Sequence, residues 1–136
     1  MTARSTEALI RRYYDAFNKG DVDGMLACLA PSFVHDVNQG GRRRGKAKFK
    51  AFCEHMSTSY KEELKDIVIM AAKDGSRAAA EFTVHGKYLS TDEGLPPAKG
   101  QKYKLPGATF FAIEDGLISR VTTHYNLNDW VRQVKG

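Results

Sequence analysis

The chain has 136 residues, of which 42% are hydrophobic and 27% charged, proportions of one compact globular domain spanning 1–136 and not of a disordered chain. No apolar run approaches the ~20 residues that cross a bilayer, and the start, MTARSTEALIRRYY, has no apolar stretch of signal-peptide length, so a cytoplasmic setting is expected. The net charge of +5 permits an anionic partner, yet outside Arg42 to Arg44 the basic residues are scattered and no aromatic residue is interleaved with that cluster, so nucleic-acid binding is not expected.

Residues 6 to 18 place Leu9, Tyr13, Ala16 and Phe17 on one stripe, which predicts an amphipathic helix closed by Gly20. Asp21 is a suitable cap for a second helix whose stripe is Val22, Met25, Leu26 and Leu29, and Pro31 forbids its continuation. A short strand over 33 to 38 follows. Arg42 to Arg44, set between glycines, form a solvated turn, with a phosphate or carboxylate contact as the sharper alternative. Phe49, Phe52, Cys53 and Met56 then mark a third helix over 46 to 58.

The remainder is β-rich. Asp74-Gly75 and Asp115-Gly116 are hairpin signals, and they divide the region into strands over 61 to 73, 76 to 89, 101 to 114 and 117 to 126. In the second of these Ala78, Ala80, Phe82, Val84, Gly86 and Tyr88 alternate with polar residues, so one face meets a core. STDEGLPPAKGQ reads as an exposed loop, and NLNDWVRQVKG as a short helix capped by Asn126 or Asn128 that buries Trp130, Val131 and Val134. This order describes an α+β domain whose sheet wraps around the helices. Cys28 and Cys53 lack CxxC spacing and are too few for a disulfide framework, which suits buried thiols. His35, His55, His85 and His124 show neither HxH nor HExxH spacing, so no metal site is expected.

RYYDAFNKGDVDGMLACLAPSFVHD, GKAKFKAF and FFAIEDGLISRV together resemble the nuclear transport factor two-like superfamily. The likeness is strongest to ketosteroid isomerases, SnoaL-like polyketide cyclases and ketosteroid isomerase-related proteins. It implies a cone-shaped, curved antiparallel sheet closed by the N-terminal helices around an apolar pocket, usually in a homodimer paired through the sheet. It also implies a hydrophobic small-molecule ligand and cofactor-independent isomerase or cyclase chemistry by proton transfer on a carbonyl compound, the alternative being a non-catalytic binding domain.

The isomerase chemistry, a worked example of tuned acidity, needs a basic carboxylate and two oxyanion donors. The resemblance puts Tyr13 at the oxyanion tyrosine, Thr109 where the isomerase carries a protonated acid, and Val37 where it carries the base, with Asp36 one residue early. A strict strand register turns His35 and Val37 into the cone, whereas a bulge turns in Asp36 and Asn38. The candidate catalytic residues are therefore Tyr13, His35 and Asp36, and the candidate ligand contacts are Asn38, Phe52, Met56, Phe82, Tyr88, Thr109, Phe111 and Tyr125. Leu95 to Pro97 and the helix of Trp130 are expected at the mouth of the cone.

Overall fold

The computed structural model describes residues 1–38 and 40–135. Ten elements follow in order: α1 (Ala3–Lys19), α2 (Val22–Leu26), β1 (Leu29–Val37), β2 (Arg43–Arg44), α3 (Lys46–Ser59), β3 (Tyr60–Ala71), β4 (Arg77–Tyr88), β5 (Lys102–Glu114), β6 (Leu117–Tyr125) and α4 (Leu127–Lys135). The strands form one curved six-stranded sheet in the order β2-β1-β6-β5-β4-β3, with α1 and α3 on its inner face. The expected α+β architecture is present, with one refinement: β1 runs parallel to β6, so the sheet is mixed.

Several boundaries move for identifiable reasons. The first helix begins at Ala3, earlier than its apolar stripe, because Thr2 and Ser5 form a capping box that satisfies the exposed N–H groups. Gly20, at φ 71, ends it in the left-handed conformation. The second helix stops at Leu26, and Leu29, read from sequence as its last apolar position, instead opens β1. The arginine segment is not a free turn: Arg43 and Arg44 pair with His35 and Val34 as an edge strand.

Alternation on the central strands sets the core. Phe82, Val84 and Tyr88 of β4 and Tyr103, Leu105, Thr109, Phe111 and Ile113 of β5 are all buried on the inner face. They pack against Leu9, Ile10, Tyr13 and Tyr14 of α1 and Phe49 of α3 in one continuous cluster. Side chains cover backbone on the edge strand β3 and on the part of β5 that runs past the end of β6. Asn18 of α1 both donates to and accepts from the Leu64 backbone on β3, and Gln133 of α4 does the same for Lys104 on β5. Asn126 caps α4, whose Trp130 seats edge-on against Tyr60, Tyr88 and Tyr103.

Candidate functional site

β1 holds the strict register at its end, pairing His35 with Val121 and Asp36 with Thr122 of β6. Its irregularity lies earlier, between Leu29 and Val34. His35 therefore points inward and is buried, between Phe33, Phe49 and Phe52 at centroid separations of 6.4, 4.9 and 4.8 Å. Burial among these rings pushes its pKa down to about 4, the charge of Arg43 acts in the same direction, and Asp36 opposes them. The imidazole is thus neutral near pH 7, and among the described residues its Nδ1 has no hydrogen-bond partner.

Asp36 lies on the opposite face. Arg42 donates to it in a fork from Nε and Nη2 at 2.8 and 2.9 Å, Thr122 donates at 3.1 Å, and the hydrogen bond from Arg42 foremost holds the carboxyl below its usual range. Its oxygens are committed outside the cone, away from His35. Asn38, at φ 47, spends its Oδ1 on the Tyr125 N–H at 2.8 Å and so closes the end of the β1–β6 ladder.

α1 presents two adjacent phenols to the sheet. Tyr13 and Tyr14 meet edge-on at 5.4 Å, and both pack edge-on to Phe111, at 6.1 and 5.9 Å. Burial raises both hydroxyls well above the ordinary tyrosine range, so both stay protonated. At Tyr14 the side chain of Thr109 works against that rise, yet the buried Tyr14 hydroxyl has no partner at hydrogen-bonding geometry among the described residues. Sequence reading singled out Tyr13, but Tyr14 is the phenol beside Thr109. The signal available was the position of Tyr14, one helical turn from Ile10, which is itself fully buried.

The other candidates divide by location. Phe82 touches Tyr14 edge-on at 5.7 Å, and Phe111 and Thr109 are buried in the same group. Phe52 is half-buried beside His35, and Met56 is half-buried further along α3. Tyr88 is fully buried and committed to the following loop, donating to the Pro96 carbonyl at 2.7 Å and accepting from the Asp92 N–H at 2.9 Å. Tyr125 is 37% exposed.

Two polar groupings went unmarked by the sequence reading. Glu62, facing inward on β3, accepts a hydrogen bond from Tyr103, and burial raises its carboxyl. Asp92 accepts from Tyr60 at 2.7 Å and contacts His55 Nε2 at 2.8 Å, joining the loop after β4 to α3. Neither is visible in sequence spacing, because each joins elements far apart in the chain.

Between α1, α3 and the sheet, where the sequence reading expected an apolar pocket, aromatic side chains face one another across α1, β1, β5 and α3. Two open cavities lie elsewhere. One of ≈ 730 Å³ is lined by Lys61, Glu63, His85, Lys87, Lys102 and Lys104, which share the sheet's outer face, together with Glu62, Tyr103 and others. The second, of ≈ 340 Å³, is lined by Arg43, Lys48, Ala51, Phe52 and His55 and backs onto the His35 cluster through Phe52. No helix among the described residues is long and apolar enough to cross a membrane.

Comparison with known proteins fits this geometry. A crystal structure from Silicibacter sp. TM1040, provisionally called a polyketide cyclase, shares 59% identity over 100% of this chain and 99% of its own, with a TM-score of 0.96. One from Pseudomonas putida, given the same provisional description, shares 59% over 98% of each chain at a TM-score of 0.93. A third so described, from Xanthomonas campestris pv. campestris, shares 51% over 98% and 99% at 0.95. No curated protein matches. The SnoaL-like domain model matches residues 10–121, most of the chain, and the protein therefore belongs to the SnoaL-like domain family of the nuclear transport factor two-like superfamily.

Proposed function

We propose that this protein binds a hydrophobic carbonyl compound against its aromatic interior and moves a proton on it without a cofactor, as an isomerase or cyclase. One observation carries the reading: the two buried side-chain polar atoms without partners among the described residues are a hydroxyl donor, Tyr14, and an imidazole nitrogen, His35 Nδ1. Buried polar groups are almost always paired within a protein, and the free energy lost by leaving them unpaired is recovered when a ligand supplies the partner. With its ring proton on Nε2, neutral His35 offers Nδ1 as a base; it takes a proton from the carbon next to the carbonyl, and the enolate oxygen accepts a hydrogen bond from Tyr14. The proton then returns to a different carbon, or the enolate carbon attacks a second carbonyl of the same molecule and closes a ring, and the new alkoxide oxygen takes the proton back from His35. A base of similar strength serves ketosteroid isomerase. The provisional description of three relatives at 51–59% identity supports the cyclase branch.

Only one strand separates β1 from β5, so His35 and Phe111, on which Tyr14 packs, lie about 10 Å apart across the sheet, a span that a fused-ring substrate bridges. Phe52, half-buried at the edge of the cluster, borders the way in. The same reading includes a homodimer through the outer sheet face, where Val68, Met70 and Phe110 are about half exposed. The test is deuterium uptake from heavy water into a panel of ketosteroids and linear polyketide-like diketones. His35→Gln lowers it by about 10²- to 10⁴-fold and Asp36→Asn leaves it unchanged; uptake that survives both His35→Gln and Tyr14→Phe overturns the roles.

A second reading, a non-catalytic binding domain, is favoured by Thr109, a neutral alcohol where the isomerases carry an acid. A co-purified apolar ligand that never exchanges or rearranges would establish it.

A further inference from the structure

The three consecutive arginines have three different fates. Arg42 forms the fork with Asp36 on the outer face, Arg44 is exposed, and Arg43 alone turns inward on β2, directly opposite His35 in the antiparallel register. Its guanidinium carbon lies 4.5 Å from the centroid of Phe52, the ring that is itself 4.8 Å from His35. Among the described residues no carboxylate lies within ion-pair distance of Arg43.

The guanidinium sits over an aromatic face, and among the described residues its N–H groups have no hydrogen-bond acceptor, an arrangement suited to holding an anion. The cavity of ≈ 340 Å³ beside it adds Lys48, together with His55, whose Nε2 contacts Asp92 at 2.8 Å. The cavity's apolar walls are Ala51 and Phe52, and Phe52 touches the His35 ring. A cation so close to His35 also opposes protonation of the imidazole, so the arrangement favours a neutral base behind a positive entrance. In a chain with ordinary surface arginines, this one is placed by register, by stacking and by the lack of a partner.

We propose that Arg43, backed by Lys48 and the Phe52 ring, is an anion subsite at the entrance to the His35 cluster, so that the compound taken up is an aromatic or fused-ring acid whose carboxylate stays at Arg43 while its carbonyl end passes inward. This rests on the interior being the ligand site, and names the substrate class for it. The carboxylate and guanidinium pair in two parallel N–H···O bonds, a geometry that lysine does not reproduce.

The experiment compares two probes of one shape, 2-naphthoate and 2-acetylnaphthalene, by isothermal titration and protein-observed NMR at low salt on the full chain. Wild-type protein binds naphthoate about tenfold more tightly than the uncharged ketone, since hydrogen bonds to a charged group contribute on that scale. Arg43→Gln brings that ratio to about one and leaves ketone affinity unchanged, while Arg44→Gln, the same charge change one residue along β2, leaves the ratio intact. Arg43→Lys recovers only part of it. Naphthoate that fails to bind, that binds no better than the ketone, or that keeps its advantage in Arg43→Gln overturns the subsite. Because the readout is binding, it stands apart from catalysis: a charge preference lost in Arg43→Gln with no deuterium uptake in any variant would refute the proton-transfer reading and leave the subsite in place.

Discussion

Acid should unfold this protein earlier than its carboxylates alone would dictate, and His35 is the reason. Its pKa falls from 6.5 in an unfolded chain to about 4 among Phe33, Phe49 and Phe52, with burial the largest cause and Arg43 the second. Because the folded value is depressed, the unfolded state binds more protons between these two values, so stability is complete above about pH 6.5 and is lost as pH falls toward 4. The full shift is worth on the order of 3 kcal/mol, and lowering pH from about 7 to about 4.5 realises about 2 kcal/mol of it. For a domain of this size that is a fall in melting temperature of roughly 8 °C. Glu62, whose raised carboxyl takes up a proton more readily when folded, acts with the opposite sign as pH falls, and the depressed Asp36 and Asp92 lose their contributions only at lower pH. The measurement is urea unfolding at several pH values for wild type and His35→Gln. The wild-type curve falls through this window and the variant's is flatter by about 2 kcal/mol; parallel curves would show that His35 is not held neutral by the fold, and the base assigned to it would go with it.

Asn18→Ala removes both side-chain bonds to the Leu64 backbone and should cost about 1–2 kcal/mol, with faster amide exchange at Leu64 than at Leu105, the read-out that separates edge opening from global loosening. Gly86→Ala places a methyl 2.2 Å from the Tyr103 ring, forcing the ring off Glu62; destabilisation of about 1–3 kcal/mol by chemical unfolding is expected, and a neutral result would mean that the ring moves freely. Phe111→Ala, at a fully buried position that supports both phenols, should cost about 3–5 kcal/mol by the same assay. Tyr14→Phe deletes a buried hydroxyl with no partner, so it should leave stability unchanged or raise it by about 1 kcal/mol while lowering deuterium uptake; a large loss of stability would place a structural partner there instead.

Much of the fold was legible because its signals are local. The period of two on β4 from Ala78 to Tyr88, the Asp-Gly hairpins and the stripe of Leu9, Tyr13 and Ala16 each follow from a few neighbouring residues. The sequence also posed the right question at β1, whether His35 or Asp36 faces inward, but a one-residue register is decided by pairing with β6 and β2, segments far along or across a turn. The same limit hid the Glu62–Tyr103 and His55–Asp92–Tyr60 contacts, which close only when remote strands and loops are brought together. Arg43 was lost in a run of three like residues, since composition cannot say that alternation on a two-residue strand sends one inward and its neighbours out.

The resemblance points to Tyr13, and the structure sets a second phenol, Tyr14, beside it on α1. Adjacent positions on a helix are 100° apart, yet a sheet that curves around the helix meets both, so burial does not separate Tyr13 from Tyr14. What separates them is that only the Tyr14 hydroxyl is both sealed from solvent and without a partner among the described residues. A phenol kept only for packing is replaceable by phenylalanine at no cost, whereas one whose hydroxyl is buried without a partner lowers stability in every molecule that folds. The same reasoning applies to a histidine enclosed by three aromatic rings, where a further apolar residue would fill the space with no pH-dependent loss. Stability sacrificed at two inward positions is what the proposed site would require. The charge of Arg43, without an ion-pair partner among the described residues, sits over Phe52 at the edge of the His35 group and would extend that pattern to the surface under the proposed subsite.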